Sequence, residues 1–315
     1  MPVESASRGG SSPSMGGLEL SVVCCAYNEE RNLPAFLKAA LGSEGTNLRL
    51  REVIIVASGC TDNTVAVARE WAFHDPRVLL IEQKERLGKA AALSVGLNAA
   101  HGEIVLMENA DTVPAPQTFD AFVEPFRDPT VGLVCSRVVP IVRHESVVSA
   151  LSKTLWGVHE QVSRLVPKTG EAFAFRNRPI PLSADIEDDD TFIGAFVLSS
   201  GCKSVYSAQA IVYNRPAATL SDLLKQRFRI NRQYYSLRRR RGVQMGTWAP
   251  QTMATALASY IRLHPKELPR VLTLVVVEEA LRLAAVLDFV LHPSPLKIWD
   301  PVESTKDRIS TNELH

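Results

Sequence analysis

Short apolar runs alternate with helix-length segments over the first 112 residues of the chain. The runs lie at 20–26, 52–57, 77–81 and 103–107, and the first three are each followed by a helical pattern. Strands that alternate with helices in this way are typical of a parallel sheet with right-handed crossovers. The sequence therefore predicts an α/β fold with a mostly parallel central sheet.

Polar residues follow each run at the point where a strand is expected to end. The carboxyl ends of strands in an open α/β sheet gather along one edge, where ligands bind. We therefore expect one ligand site built from four loops. Its residues are Ala26, Tyr27, Asn28 and Glu29, then Ser58 and Asp62, then Gly88 and Lys89, then Asn109, Ala110 and Asp111.

Composition and charge exclude some classes of protein. The 315 residues are 46% hydrophobic and 22% charged, and the net charge is +1, which argues against a surface that recruits nucleic acid as a whole. Five cysteines without a C-x-x-C pair make a zinc site an unfavourable interpretation, and the odd count favours a reducing compartment, the cytoplasm. Residues 1–17 are rich in Ser and Gly and predict a disordered tail.

The pattern is less regular after residue 112. It predicts a strand over 131–142, a helix over 145–166, a turn into a short strand over 169–175, a helical stretch to 200 opened by the acidic run 185–190, a strand over 203–213 and a helix over 221–241. We expect a nucleotide-binding half over 18–112, a catalytic half of the same domain over 113–241, and a helical extension over 242–315.

Five motifs in this order, within about 18–241, resemble the family 2 glycosyltransferases, which have the GT-A fold and invert the configuration of the transferred sugar. The resemblance implies that the loop with Tyr27, Asn28 and Glu29 binds the base and ribose of a nucleotide, and that Asp62 accepts the N3–H of uracil. Gly88 and Lys89 would contribute to nucleotide binding. Helix capping alone is the simpler alternative for Asn28 and Asp62.

The segment Asn109-Ala110-Asp111 takes the place of the D-x-D motif of the family, which holds a divalent ion on the donor phosphates. The resemblance implies that Asp111 contacts the metal, which would be Mg²⁺ or Mn²⁺, since both prefer carboxylate and phosphate oxygens. Asn109 removes one charge from the motif.

The pair Glu187-Asp188 resembles the E-D pair of the family, whose Asp is the general base. Asp188 is therefore the expected base, and Asp189 and Asp190 stay open as alternatives. Gln226 and Arg229 resemble the Q-x-x-R-W motif, in which Arg229 would stabilise the leaving diphosphate, but Ile230 replaces the Trp. Gly170 and Glu171 occupy the position that lines the sugar pocket in the family.

Two C-terminal features raise the question of a membrane. The run Arg238–Arg241 fits either a solvated helix end or anionic lipid headgroups. The segment 268–291 is long and apolar but carries five charges, so we do not predict a transmembrane helix; packing on the catalytic domain or a partner subunit is preferred over a membrane-surface helix. A homodimer and peripheral contact with the inner face of the membrane are both considered.

Together these patterns predict an inverting, metal-assisted glycosyltransferase that moves a sugar from a nucleotide-diphosphate donor, UDP-linked by the Asp62 argument, to a hydroxyl acceptor. Two alternatives remain: a non-catalytic nucleotide-sugar-binding protein on the same fold, and a sugar nucleotidyltransferase. The second would need a Gly-rich phosphate loop after the first strand, where this chain has Ala26-Tyr27-Asn28-Glu29.

Overall fold

The computed structural model of the protein describes residues 17–43, 45, 48–296, 298, 303–306, 309 and 313. The predicted tail lies outside the described residues except for Gly17. The strands are β1 Leu18–Ala26, β2 Leu48–Ser58, β3 Val78–Gln83, β4 Ile104–Glu108, β5 Thr112–Pro114, β6 Val131–Pro140, β7 Ala172–Arg176 and β8 Lys203–Asn214. The helices are α1 Leu33–Leu41, α2 Thr64–His74, α3 Lys89–Ala99, α4 Thr118–Val123, α5 Val147–Leu165, α6 Asp189–Leu198, α7 Leu220–Arg241, α8 Pro250–Leu263 and α9 Leu268–Leu291.

The described strands form one mixed sheet in the order β3-β2-β1-β4-β7-β6-β8-β5. Strands β3, β2, β1 and β4 are parallel to one another, and β6 and β8 run the same way as these four. Only β7 and β5 run the opposite way among the described strands. The prediction of an α/β fold with a mostly parallel sheet is confirmed.

Helices cover both faces of the sheet, so its central strands are buried on both sides. Val22 and Cys24 of β1 pack towards Phe36 and Leu37 of α1, whereas Val23 packs on the opposite face with Leu93 of α3. Strands buried in this way need near-continuous apolar sequences rather than alternation, because each face meets a helix. The register aligns Ala26 at the end of β1 with Ala57 of β2, so the loops that follow begin side by side.

The first helix begins later than the sequence predicts. Asn28 does not cap a helix; its backbone φ is +54°, and α1 starts at Leu33. The left-handed conformation is one that Asn adopts more readily than most residues. It turns the Asn28 side chain towards the second loop, where the amide donates to the Thr61 hydroxyl (3.0 Å) and accepts from the Thr61 N–H (2.8 Å).

Other helix boundaries differ by a few residues. Helix α7 starts at Leu220, one residue before the predicted cap, and its cap is Thr219, whose hydroxyl accepts the Asp222 N–H at 3.1 Å. Helix α6 begins at Asp189 and is capped by Asp188, so the acidic run lies mostly before the helix.

Helices α8 and α9 form the described part of the predicted helical extension. Helix α9 spans Leu268–Leu291, the segment that the sequence singled out, and it packs along α7. In the described part of the chain, no helix has both the length and the apolar character that crossing a membrane requires.

Candidate active site

A cavity of about 330 Å³ opens at the carboxyl edge of β1, β2 and β4. Its volume falls in the range of small-molecule sites. It brings together the predicted residues Ala26, Tyr27, Glu29, Ser58, Gly88, Lys89, Asn109, Ala110, Asp111, Gly170, Glu171, Glu187, Asp188, Gln226 and Arg229. Two predicted residues, Asn28 and Asp62, do not line it.

Both carboxylate oxygens of Asp62 accept hydrogen bonds from other residues of the chain. One carboxylate oxygen accepts the N–H (3.0 Å) and hydroxyl (2.6 Å) of Thr64, and the other accepts the N–H of Glu30 at 3.2 Å. These bonds lower the pKa of Asp62 despite its partial burial. Asp62 lies in the turn before α2, whose N-cap is Asn63, so Asp62 is not the cap residue. The reading of uracil by Asp62 stays a prediction.

Lys89, in the loop and helix that follow β3, forms ion pairs with the acidic run. It is the first residue of α3, and its ammonium lies 3.3 Å from Asp189 and 3.2 Å from Asp190. The preceding Gly88 has a φ of +96°, which places the turn in a region that favours glycine. Two of the three candidate bases are therefore already paired with a cation.

Asp188 has no ion pair with Lys89, unlike its two neighbours, although burial raises the pKa of Asp189 to about 7 as well. Its Oδ1 accepts the Thr191 N–H at 3.3 Å, and its Oδ2 is buried without a hydrogen-bond partner among the described residues. Burial, and after it the charge of Asp190, raise the pKa of Asp188 to about 7. A buried carboxylate with a free oxygen and a pKa near neutrality has the properties of a general base.

Glu187 fixes the backbone next to Asp188 through its contacts with α7. Its carboxylate accepts the Ser236 hydroxyl and lies 3.7 Å from the guanidinium of Arg232, which is completely buried. Arg232 also donates to Asp288 of α9 at 2.9 Å. The Glu187 carboxylate therefore ties the acidic run to α7 and α9, which fixes the backbone that carries Asp188.

The carboxylates of Glu29 and Glu171 lie close enough to Asp111 for their charges to act on it. Burial, followed by the charges of Glu29 and Glu171, raises the pKa of Asp111 to about 8. Glu171 is oriented by the Asn109 amide at 2.7 Å and by the Asn214 amide at 3.3 Å. The neutral Asn109 can donate to Glu171, as a carboxylate in its place could not, so the departure from D-x-D has a structural role.

No cluster of three or more His, Cys, Asp or Glu side chains forms a complete metal site in the residues that the structure describes. Asp111 alone supplies too few ligands for Mg²⁺ or Mn²⁺. The negative surroundings nevertheless suit a cation whose remaining ligands are phosphate oxygens and water, as is usual for these ions on nucleotides. The donor set fits a metal that arrives with its nucleotide.

Helix α7 presents a polar face to the cavity, as its spacing predicts. Gln226, Arg229 and Gln233 line the cavity together. Desolvation lowers the pKa of Arg229, and the charges of Glu171 and Asp111 oppose that effect, so the guanidinium stands among the acids of the site. The replacement residue Ile230 also lines the cavity.

Sequence reasoning missed several cations of the site. Arg86 stacks over the ring of Tyr27, with its guanidinium carbon 3.8 Å from the centroid. Arg227 lines the cavity and forms a two-pronged ion pair with Glu278 of α9, at 3.0 and 2.7 Å. The arginine next to the motif residues Gln226 and Arg229 was a visible signal, but its partner lies 51 positions away in the sequence.

Lys306 is the least foreseeable part of the site. Its ammonium donates to the carbonyl oxygens of Tyr27 (2.5 Å) and Asn28 (2.9 Å) and lies 3.1 Å from the Glu29 carboxylate. The Asn32 amide in turn donates to the Lys306 carbonyl at 3.0 Å. A residue from the end of the chain thus fastens the loop that follows β1.

One part of the cavity contains a cation, Lys168, whose charge acts on the expected base Asp188. Lys168 lines the cavity and has no hydrogen bond or ion pair to any described residue, and its charge lowers the pKa of Asp188. Trp156 and His159 line the same part. Burial holds the pKa of His159 well below its usual value and also lowers the pKa of Lys168.

Residues 21–172 match the sequence model of glycosyl transferase family 2. A dolichyl-phosphate beta-glucosyltransferase from Drosophila melanogaster is 39% identical over 101 residues, which are 30% of this chain and 31% of that protein. A protein of the same name from Trichomonas vaginalis is 37% identical over 97 residues, 29% of this chain and 30% of the relative. This chain thus spans about three tenths of the length of these relatives.

Among solved structures, the mannosyltransferase PcManGT from Pyrobaculum calidifontis, in complex with GDP-Man and Mn²⁺, superposes with a TM-score of 0.57. The similarity covers 87% of this chain and 88% of that one at 23% sequence identity. It shows that the two proteins share the GT-A fold. The fold predicted from the five motifs is confirmed.

Proposed function

We propose, on the premise that residues 21–172 belong to glycosyl transferase family 2, that the chain is a glycosyltransferase that moves a sugar from a nucleotide-diphosphate donor to a hydroxyl acceptor with inversion. The family segment contains the four donor loops and ends at β7. The expected base and the Arg229 helix lie beyond it, so their roles rest on the geometry of this chain.

One observation carries the proposal. Lys89, Asp111, Asp188 and Arg229 come from four separate parts of the chain, and all of them line the same cavity at the carboxyl edge of the sheet. Two cations, a carboxylate in negative surroundings and a buried carboxylate with a free oxygen are what transfer from a diphosphate needs. A protein that only bound nucleotide sugars would have no use for the unpaired Asp188 oxygen.

In the proposed reaction, the acceptor hydroxyl oxygen attacks the anomeric carbon from the face opposite the phosphate. Asp188 takes the proton of that hydroxyl as the new glycosidic bond forms. The bond between the anomeric carbon and the phosphate oxygen breaks, and the electron pair leaves with the nucleoside diphosphate. Arg229 and Lys89 stabilise the negative charge that develops there.

A divalent ion, Mg²⁺ or Mn²⁺, is proposed as the cofactor, with Asp111 as its protein ligand. When bound, the ion would neutralise charge on the donor phosphates. The neighbouring Glu29 and Glu171 would favour a cation there through their charge. The neighbour with the same fold was solved with Mn²⁺, which agrees with this proposal.

The direct test is titration of UDP, GDP, dTDP and ADP into the purified protein with and without Mn²⁺, followed by a turnover assay with the sugar of the preferred nucleotide. Metal-enhanced binding and release of nucleoside diphosphate support the transferase. Binding without any turnover over a broad set of acceptors favours the non-catalytic alternative. Formation of pyrophosphate from a nucleoside triphosphate and a sugar phosphate identifies a nucleotidyltransferase.

UDP is the nucleotide that we expect, although the bonds of Asp62 to Thr64 and Glu30 weaken the argument from that residue. GDP is the competing outcome, because the neighbour with the same fold binds GDP-Man. We also propose the cytoplasm as the location, because all five cysteines are free. A homodimer remains a prediction for solution measurements.

The pH profile of kcat/KM should fall on the acid side of about pH 7. The pKa of Asp188 is raised to about 7, and the base must be deprotonated to accept a proton, so the rate should fall about tenfold for each pH unit below that value. Because the charge of Lys168 lowers the pKa of Asp188, Lys168→Gln should move the acid limb to higher pH. A limb that moves to lower pH in the variant would contradict the assignment.

Lys306→Ala should weaken donor binding about tenfold. The substitution removes the hydrogen bonds to the Tyr27 and Asn28 carbonyls, and charged hydrogen bonds of this kind are worth roughly 1.5–3 kcal/mol. The dissociation constant of the nucleotide should be measured by calorimetry beside Lys225→Ala, which alters an exposed lysine of α7. Equal affinity in both variants would show that Lys306 plays no part in donor binding.

A further inference from the structure

Helix α9 is attached to the protein through its charged side chains and through Val271, Leu274 and Val275, which pack on apolar residues of α5, α7 and α8. Glu278 pairs with Arg227 and accepts the Asn231 amide at 2.9 Å, and Asp288 pairs with Arg232 at 2.9 Å. On the same side, Arg282 donates to the Thr247 carbonyl at 2.8 Å and stands over the ring of Trp248. Only Val271 and Ala285 of α9 are fully buried among its 24 residues.

The opposite side of α9 is apolar and faces outwards. Its aliphatic residues are 41–71% exposed and recur at helical spacing, so that they form one stripe, Leu268, Leu272, Val276, Leu283, Leu287, Val290 and Leu291. The exposed Ala280 and Ala284 fill the gap in the spacing. A helix of this length is about 36 Å long, and contiguous apolar surface on this scale marks an interaction site.

An ordinary surface helix buries its apolar side and exposes its charges, whereas α9 leaves this apolar stripe exposed and directs Glu278 and Asp288 towards α7. The charged side of α9 has its partners in α7. The apolar stripe has no covering element among the described residues.

Cations surround both ends of the stripe. At its C-terminal end lie the exposed arginines 238–241 at the end of α7, and Arg240 stands over the ring of Phe289 with its guanidinium carbon 5.6 Å from the centroid. At its N-terminal end lie the exposed Arg262, Lys266 and Arg270. The exposed acid on α9, Glu279, is paired with Arg282 at 2.7 Å. Two of these cations have acidic partners, Arg241 with Asp185 at 3.1 Å and Arg270 with Glu267 at 3.8 Å, and Arg238, Arg239, Arg262 and Lys266 have none among the described residues.

We propose that α9 lies along the surface of a membrane that contains anionic phospholipids, with the apolar stripe in the boundary of the acyl chains and the two groups of cations on the headgroups. An interfacial helix needs this combination of an apolar stripe and flanking Lys or Arg. Each cation near an anionic surface contributes about 1 kcal/mol. The proposal does not depend on the transferase activity.

The cations decide between a membrane and a second copy of the chain. If two α9 stripes paired in parallel, the arginines 238–241 of both copies would meet. If they paired antiparallel, those arginines would meet Arg262, Lys266 and Arg270 of the other copy. Like charges therefore meet in either orientation, whereas an anionic surface compensates all of them.

The proposal is tested by sedimentation of the full chain with vesicles of phosphatidylcholine alone and with about one third phosphatidylglycerol. We expect binding to the anionic vesicles and at least tenfold weaker binding to the neutral ones. Changing the stripe to glutamine should reduce the anionic binding at least tenfold, in a variant with the substitutions Leu272→Gln, Val276→Gln, Leu283→Gln and Leu287→Gln. Neutralising arginines should also weaken it and reduce its dependence on salt, in a variant with Arg238→Gln, Arg239→Gln and Arg241→Gln.

The control replaces two exposed apolar residues outside α9, Phe73→Gln in α2 and Leu79→Gln in β3, and should bind as the unaltered protein does. Unfolding temperature and nucleotide binding of each variant verify the fold. Lack of binding to anionic vesicles, or equal binding by the stripe variant, overturns the proposal. A dimer in analytical ultracentrifugation that the stripe substitutions dissociate, without vesicle binding, would show that a second copy covers the stripe.

Discussion

Replacing Asp188 by Asn should lower kcat about a thousandfold and leave nucleotide affinity within about twofold. A positioned general base contributes roughly 10² to 10⁴ in rate, and the amide cannot take the proton of the acceptor hydroxyl. Asn is the sharpest substitution, because its side-chain oxygen can still accept the Thr191 N–H and cap α6. The measurement is kcat with the preferred donor, beside calorimetric affinity for the free nucleotide.

The same experiment separates Asp188 from the two carboxylates beside it. Asp189→Asn and Asp190→Asn each remove an ion pair with Lys89, so their main effect should be on donor binding. Asp185→Asn serves as the matched control, since Asp185 belongs to the same acidic run but does not line the cavity. Full turnover by Asp188→Asn, or a thousandfold loss of kcat in Asp190→Asn alone, would transfer the role of base to another residue.

The sequence was sufficient for the parts of the site that strand ends position. The loops after β1, β2 and β4 follow from apolar runs, and parallel pairing necessarily brings their ends to one edge. The face of α7 that carries Gln226, Arg229 and Gln233 follows from helical spacing. The placement of these side chains along one cavity is predictable because strand direction and helix period are local properties of the sequence.

The remaining parts of the site depend on contacts between distant segments, which no local pattern encodes. Lys306 reaches the loop after β1 from 278 positions away along the chain, and Glu278 selects Arg227 across 51 positions. The local signal was also misleading at Asn28, whose residue type suits both a helix cap and a left-handed turn. The turn prevails because Thr61 of the neighbouring loop supplies partners for the Asn28 amide.

Charge was also a poor guide to the orientation of α9. The central charges of this segment argued against a membrane span, but they also suggested that its apolar residues pack inwards. In the structure Glu278 and Asp288 pair with Arg227 and Arg232 of α7, on the same side as the buried Val271 and Ala285, and the exposed aliphatic stripe lies on the other side of the helix. From the sequence alone, we treated packing on the protein and lying on a membrane surface as alternatives. One helix can do both, with one side on the protein and the other on the membrane.

Replacing Asp111 by Asn should abolish the enhancement of nucleotide binding by Mn²⁺ and lower kcat/KM about a hundredfold or more. The loss follows because the ion would have no carboxylate ligand from the protein, and metal stabilisation of a leaving diphosphate is worth several kcal/mol. Nucleotide affinity with and without Mn²⁺ is the measurement. Metal enhancement that survives in the variant would show that the ion, if it acts at all, is held elsewhere.

The stability of the same variant separates a ligand from a structural residue. Burial and the charges of Glu29 and Glu171 raise the pKa of Asp111 to about 8, far above its ordinary value, so in metal-free buffer this carboxyl destabilises the fold increasingly as the pH rises from about 4 to about 8. Asn carries no charge, so Asp111→Asn should unfold at the same or a higher temperature than the unaltered protein at pH 8 with chelator present. A carboxylate kept where it weakens the fold is expected of a residue retained for binding a cation. A marked drop in unfolding temperature would instead make Asp111 a structural residue, and the loss of activity would then carry no information about a metal.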